Sequence, residues 1–425
     1  MKIMEDSLQQ SGYLFIFLVI IVNLFEIFLE FLNLRNLSIK NLEKIKEIFP
    51  IDNPISLIKY QKSKIALQMV KGIVEILVFF YLFSTNIIQS ISTEIYKLHT
   101  FEFLKSFMLF VSFYTIFKVI ELPFVIIDTF YIEKIFGFSK ITKKLFLKDI
   151  FLQTIIGLVI LFLILFAITT FIHLTGAFWW IYASFFIILL NFFILYIYPI
   201  FIAPLFNKFT SLSDTELESK IKEILEKTGF FLENVFVMDA SKRSTHSNAF
   251  FTGFGKKKRL VLFDTFLQNH NHPEIISVLC HELGHFKHKH IFKMFLFNAG
   301  AIILAMFISA KLLQLNYIYF MFGFKNSLYN GLFIVFTIFL PIGSIILKLI
   351  FMPISRANEY QADEFAINLT KDPETFKNTL IKLYKDNLSN PIPHPLYVFF
   401  NYSHPPLIER IKHILKYSEK VISKT

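Results

Sequence analysis

Seven predominantly apolar runs, near residues 12–32, 66–92, 103–127, 150–174, 177–205, 291–316 and 330–353, leave this chain of 425 residues few ways to fold. Each is long enough for a helix to cross the roughly 30 Å hydrocarbon layer of a bilayer. The composition agrees, with 55% of residues hydrophobic, 56 phenylalanines and a mean hydropathy of +0.56; soluble chains average about 45–50% apolar residues. The expected fold is an α-helical integral membrane protein with seven transmembrane helices.

Basic residues orient the spans. The loop 33–65 holds Arg35, Lys40, Lys44, Lys46, Lys59, Lys62 and Lys64, and the loop 128–149 holds Lys134, Lys140, Lys143, Lys144 and Lys148. The intervening loops 93–101, 175–176 and 317–329 hold only Lys97 and Lys325. The positive-inside rule then places the N-terminus outside and the C-terminus in the cytosol. Segments 206–290 and 354–425 fall on the cytosolic side. The same distribution explains the net charge of +11 without a nucleic-acid partner, because no basic stripe or aromatic reading surface accompanies it. Cys280 is the only cysteine, so no intramolecular disulfide can form. Its neighbour His281 projects about 100° away on a helix, and Cys280 reads as a small buried spacer.

Several spans carry ionisable residues: Glu26 and Glu30, Lys71 and Glu75, and Glu121. Such groups face protein or a wet cavity inside hydrocarbon. The i,i+4 pairs share a helix face, which fits interhelical pairing and a water-filled chamber equally well.

Between the fifth and sixth runs the character changes. Residues 212–230 predict an amphipathic surface helix that starts at a cap-like Ser213 and stops at Gly229. Residues 235–240, 248–255 and 258–266 predict short strands. Residues 272–290 predict a helix that runs directly into the sixth span. The organisation is thus an N-terminal membrane domain (1–205), a catalytic segment (206–290), two further spans (291–353) and a C-terminal helical segment (354–425).

That predicted helix contains HELGH at 281–285. Two histidines four apart share a helix face and can grip one zinc ion, with Glu282 beside them to take a proton from water. A catalytic zinc keeps three protein ligands and one open position, so a third ligand must come from elsewhere. The best candidate is Glu359 in SRANEYQADEFAINL (355–369), where Asp363 follows on the same face and can orient a ligating histidine. His288 and His290 lie seven residues after His281 and five after His285, and read as polar surface or membrane-interface residues.

The strings SKRSTHSNAFFTGFGKKKRLVLFDTFL (241–267), HELGH, SRANEYQADEFA (355–366) and HPLYVFFNYSHPPLIERI (394–411) together resemble the CAAX prenyl protease 1 family of membrane zinc metallopeptidases. LPFVIIDTFYIEKIFGFSKITKKLFLKD (122–149) and YPIFIAPLFNKFTSL (198–212) resemble that family's membrane half. The resemblance implies a barrel of seven spans around a large chamber, with a small α+β catalytic part and one zinc near the cytosolic end. It implies that His281, His285 and Glu359 bind zinc and that Glu282 activates water. Asp363 matches a residue assigned as proton donor, although its spacing fits support of a ligand. Asn248 resembles a residue that hydrogen-bonds substrate backbone, and His404 with Arg410 resembles a pair that steadies the oxyanion. Strand-end capping for Asn248, and a proline-bounded turn or surface ion pair for His404 and Arg410, are the plain structural alternatives.

The leading expectation is a membrane-embedded zinc endopeptidase acting near the C-terminus of prenylated CAAX-type or related membrane-associated proteins, in contact with membrane lipid and monomeric. A broader quality-control metalloprotease uses the same chemistry with looser selection. A transporter with an incidental HELGH is the reading from another class. The ending VISKT is no retention signal, so a bacterial inner membrane and the endoplasmic reticulum both fit.

Overall fold

The computed structural model describes residues 2–51, 53–230, 234–252 and 259–422. Residues 253–255 of the anticipated strand 248–255, and residue 258 of the next, lie outside them. The chain is mostly helical. Long apolar helices form the membrane half: α1 (Lys2–Asn36), α2 (Pro54–Ser84), α3 (Glu102–Ile127), α4 (Lys143–Thr175) and α5 (Trp179–Ile197). Among the described residues, six helical stretches are long and apolar enough to cross a bilayer, and the fourth, Lys143–Phe206, is 64 residues long. That stretch contains both α4 and α5, joined by a tight turn at Gly176–Phe178. Gly176, at φ 52, opens that turn in a region of backbone space that favours glycine.

The intramembrane charges that the sequence singles out are paired, between helices and, for Glu75, within one. Lys71 lies 3.1 Å from Glu121 and 3.6 Å from Glu75. Lys348 lies 2.7 Å from Glu26, and the Tyr397 hydroxyl donates to Glu30 at 2.9 Å. Glu26, Glu30 and Glu121 thus have partners on other helices, while Glu75 pairs with Lys71 on its own helix.

The polar segment after the fifth run builds a four-stranded sheet in the order β1-β2-β4-β3: β1 (Phe209–Ser211), β2 (Asn234–Met238), β3 (Ala249–Thr252) and β4 (Arg259–Phe263). β2 and β4 are parallel, and the outer pairings are antiparallel, which leaves β3 at an edge. Before β2 comes α6 (Thr215–Thr228). Its cap is Asp214, not the expected Ser213: the Asp214 carboxylate accepts the Leu217 N–H at 2.9 Å, satisfying a donor the first turn leaves open. Gly229, at φ 68, ends the helix.

Alternation along β4 turns Leu260 and Leu262 toward Leu217, Ile221 and Leu225 of α6, while Val261 faces Met238 and Ala240 on the other side. The helix α7 (His272–Lys287) packs on the first of these faces through Ile275, Leu279 and Leu283. Its start is fixed by a capping box between Asn271 and Glu274. On its other side, Cys280 is buried with Phe376 and Leu380 of α10 (Pro373–Asp386), and with Leu407, Ile411 and Ile414 near or on α12 (Leu407–Ile422). Burial pushes the Cys280 thiol pKa up to about 12, in keeping with a spacer and not a ligand.

Further helices include α8 (His290–Leu313), α9 (Leu340–Thr370) and α11 (Pro395–Asn401). One expectation is corrected here. The 272–290 helix does not run into the next apolar helix, because α7 ends at Lys287 and Lys289 takes left-handed angles, φ 56 and ψ 35. Glu359 and Asp363 share one helix face as expected, on α9, which runs for 31 residues from the last apolar stretch through both of them.

The sheet is lashed to the membrane half by the segment before β3. Arg243 grips Asp149 of α4 with two hydrogen bonds, at 2.7 and 2.9 Å. His246 lies 3.2 Å from Glu133 and stacks on Phe138 at 4.2 Å. Glu133 also takes hydrogen bonds from Tyr60 and Lys64 of α2, each at 2.7 Å.

Candidate active site

α7 and α9 cross where both must come close, and the HELGH glycine permits it. A Cβ on Gly284 would lie 2.8 Å from Ala362 Cα and 3.1 Å from the Ala362 carbonyl oxygen, backbone atoms that cannot rotate away. Gly284→Ala is expected to push the helices apart, costing about 1–3 kcal/mol for overpacking and weakening metal binding. Thermal midpoints in detergent and chelator competition measure both effects; wild-type values for both would show that the crossing tolerates a methyl group.

At this crossing His281 and His285 of α7 face Glu359 of α9. His285 Nε2 is 3.2 Å from His281 Nε2 and 3.3 Å from Glu359 Oε1, and His281 Nε2 is 3.4 Å from Glu359 Oε2. A tetrahedral zinc with bonds of about 2.0–2.1 Å separates its ligands by ~3.3–3.4 Å, so the three donors sit at coordination spacing. Glu359 is 4% exposed, and its Oε2 is buried with no hydrogen-bond partner. An orphaned buried carboxylate oxygen is costly unless a cation completes it. The residues present therefore fit a divalent metal.

The tautomer of His281 is set by Asp363, fully buried and 2.8 Å from Nδ1. Nδ1–H donates to that carboxylate and leaves the Nε2 lone pair toward Glu359. Burial disfavours charge on His281, but the carboxylates of Asp363 and Glu359 beside it outweigh that and hold its pKa up at about 9, so the cluster attracts positive charge. Arg410 of α12 backs Asp363: its Nε donates to Oδ2 at 2.9 Å, its Nη2 donates to Oδ1, and its Nη1 lies 3.9 Å from Glu359.

Glu282 is half-buried beside the cluster. Burial raises its carboxyl pKa against the lowering pull of His281 and His285. A carboxyl so placed holds a proton more readily than an ordinary glutamate. His404 arrives from the turn between α11 and α12, with Nε2 3.3 Å from Glu359 Oε1 and a side chain 63% exposed. That turn is pinned by Arg356 of α9, which donates to the carbonyls of Val398 and Tyr402 at 2.9 and 2.8 Å. A cavity of ≈ 570 Å³ opens on the cluster, lined by His285, Glu359 and Asn358 with Leu195, Phe295 and Phe351.

Residues 211–418 match the family model for peptidase family M48, and residues 36–208 match that for the CAAX prenyl protease N-terminal, five membrane helices. A CAAX prenyl protease 1 homolog of Arabidopsis thaliana is 38% identical over 326 residues, covering 75% of this chain and 73% of the relative. One from Taenia solium is 37% identical over 335 residues, covering 72% of this chain and 71% of that one. This chain belongs to the CAAX prenyl protease 1 family. The crystal structure of S. mikatae Ste24p superposes with a TM-score of 0.86 at 28% identity, covering 95% of this chain and 98% of that one. Membership makes the chain a multi-pass membrane metallopeptidase.

Among CAAX prenyl protease 1 site residues expected from sequence, His281, His285, Glu359, Asp363, His404 and Arg410 converge within hydrogen-bonding or ion-pairing distance of one another. Arg410 differs from His404 in setting. It is buried and bonded to Asp363, whereas His404 presents an exposed ring edge beside Glu359. Asn248 lies apart from them. Its side-chain oxygen accepts the Ala249 N–H at 2.8 Å, its carbonyl accepts the Phe263 N–H at 3.1 Å, and its side chain is exposed at the head of the edge strand β3. β3 packs on α7 through Phe251 against Phe286, ring centroids 5.2 Å apart.

His290 corrects the sequence reading: it is 3% exposed and hydrogen-bonded to His285. Arg356 had carried no signal at all, since its partners are backbone carbonyls more than forty residues away.

Proposed function

We propose that this family member is a zinc endopeptidase that cleaves near the C-terminus of prenylated CAAX-type proteins, with its site opening on the cytosolic side of the membrane. The observation that carries the reading is the trio His281, His285 and Glu359 at coordination spacing, with Glu282 beside it. His281, His285 and Glu359 hold the metal. Zinc, when bound, supplies Lewis acidity that polarises a peptide carbonyl and makes water acidic enough to lose a proton near neutral pH.

The chain's own residues do the rest. Glu282 takes the proton from the attacking water and passes it to the leaving nitrogen, a role suited to a carboxyl raised by burial. His404, with an exposed ring nitrogen beside Glu359, donates to the oxyanion; one such donor is worth about 3 kcal/mol in comparable sites. Asp363 orients His281, and Arg410 balances the Asp363 charge. Substrate lies as an added strand along the edge of β3 that faces away from β4, with Asn248 at the entry. The 64-residue stretch from Lys143 counts as two crossings, giving seven around a chamber. The membrane domain 1–205 and spans 291–353 form its wall, and 206–290 with 354–425 form the catalytic floor. Acyl or prenyl chains and membrane lipid are its neighbours, and one chain carries a complete site, as a monomer needs.

Mass spectrometry of CAAX peptides, farnesylated and not, incubated with the purified protein before and after zinc removal by a chelator, tests this. The expected result is cleavage three residues from the C-terminus that needs both the lipid and the metal. Scattered cutting indifferent to the lipid would replace the reading with a quality-control protease. Full activity in the metal-free protein would remove the mechanism.

A further inference from the structure

His285 is a candidate ligand whose second nitrogen meets neither a carboxylate nor a backbone carbonyl. Five residues along an unbroken helix would carry His290 roughly 140° around the axis from His285. The left-handed Lys289 breaks the helix and returns the ring, so that His290 Nδ1 lies 3.0 Å from His285 Nδ1 and His290 Nε2 lies 3.0 Å from Gln361 Oε1. The ring is buried and stacks on His288, with centroids 5.5 Å apart and planes at 15°. Gln361 sits on α9 between Glu359 and Asp363.

With Gln361 presenting its carbonyl oxygen to His290, the protons of the chain follow. An amide carbonyl oxygen only accepts, so Nε2 of a neutral His290 carries its proton. Nδ1 of His290 is then a lone pair, and Nδ1 of His285 must donate to it. His285 Nε2 is left unprotonated, 3.3 Å from Glu359. We infer that His290, held by Gln361, is a positioning residue that fixes the metal-binding tautomer of His285. The two ligands would then be supported unequally, His281 by the carboxylate of the Asp363–Arg410 ion pair and His285 by a chain of uncharged groups. The inference rests on the zinc reading above.

The test is zinc affinity by chelator competition on the full chain in detergent, with thermal midpoints of the zinc-free protein as a control on folding. Loss of such supporting partners typically costs about 10–100-fold in metal affinity, and His290→Ala is expected in that range. His290→Gln supplies a carbonyl that can accept from His285 Nδ1 and is expected to recover at least half of the loss on a logarithmic scale. Gln361→Ala weakens binding when His290 is present and has no further effect in His290→Ala. Wild-type affinity in His290→Ala overturns the inference, as does an equal loss from Gln361→Ala in both backgrounds. If His290→Ala does not fold, Gln361→Ala at an exposed position decides alone, and unchanged affinity overturns it. A wild-type protein that binds no zinc sinks the metal reading itself, a separable outcome.

Discussion

Glu282→Gln is expected to retain zinc at wild-type affinity and to lose peptide cleavage by about 10²–10⁴-fold. The amide matches the carboxylate in shape, and Glu282 contributes none of the three donors at coordination spacing, so the metal has no reason to leave. What disappears is the only half-buried carboxylate beside the cluster, among the described residues, that is neither a metal donor nor tied to Arg410. Metal content and kcat/KM measured on the same preparation make the comparison. A variant that keeps more than about a tenth of wild-type activity would remove Glu282 from the proton transfer, because a true general base contributes far more than that.

The largest loss of stability is expected from Arg410→Leu. Arg410 and Asp363 are buried, and two hydrogen bonds join them. Burying a charge without its partner costs about 3–5 kcal/mol, although the intact pair is worth little more than apolar packing would be. The variant should therefore show a sharply lower thermal midpoint in detergent and lose zinc, since His281 is oriented through the same carboxylate. Arg410→Leu combined with Asp363→Asn removes the stranded charge and keeps an oxygen that accepts from His281 Nδ1. Most of the lost stability should return in the double variant. A wild-type midpoint in Arg410→Leu alone would mean that water or a neighbouring cation compensates Asp363.

What the sequence disclosed and what it hid divide along the range of the interactions. HELGH, and the Glu359–Asp363 spacing, were legible because i,i+4 positions share a helix face whatever the fold. The spacing pairs His281 with His285 and Glu359 with Asp363, whereas His404 and Arg410, which join them at one place, were expected only from the family resemblance. The strands β2 and β4 were legible from alternation, and the end of α6 from Gly229. His290 was misjudged because the reading extended one helical period through Lys289, where the backbone reverses hand. Asp214 displaced Ser213 as the cap within a pair of equally good capping residues, a choice that local propensity does not make. Gly284 is a motif letter whose reason lies on another helix, and no periodicity within α7 announces Ala362.

The unbroken α9 has a mechanical corollary. At 1.5 Å per residue its 31 residues make a strut about 46 Å long, with its start in the last apolar stretch, Pro353 inside it and the acidic ligand roughly two thirds of the way along. Tilting such a strut by a few degrees at its base swings the Glu359 position, about 28 Å along it, by an ångström or more, on the scale of the coordination distances themselves. Bilayers of different thickness, by resetting that tilt, would therefore tune how well the carboxylate meets the imidazoles, making the host membrane a determinant of turnover.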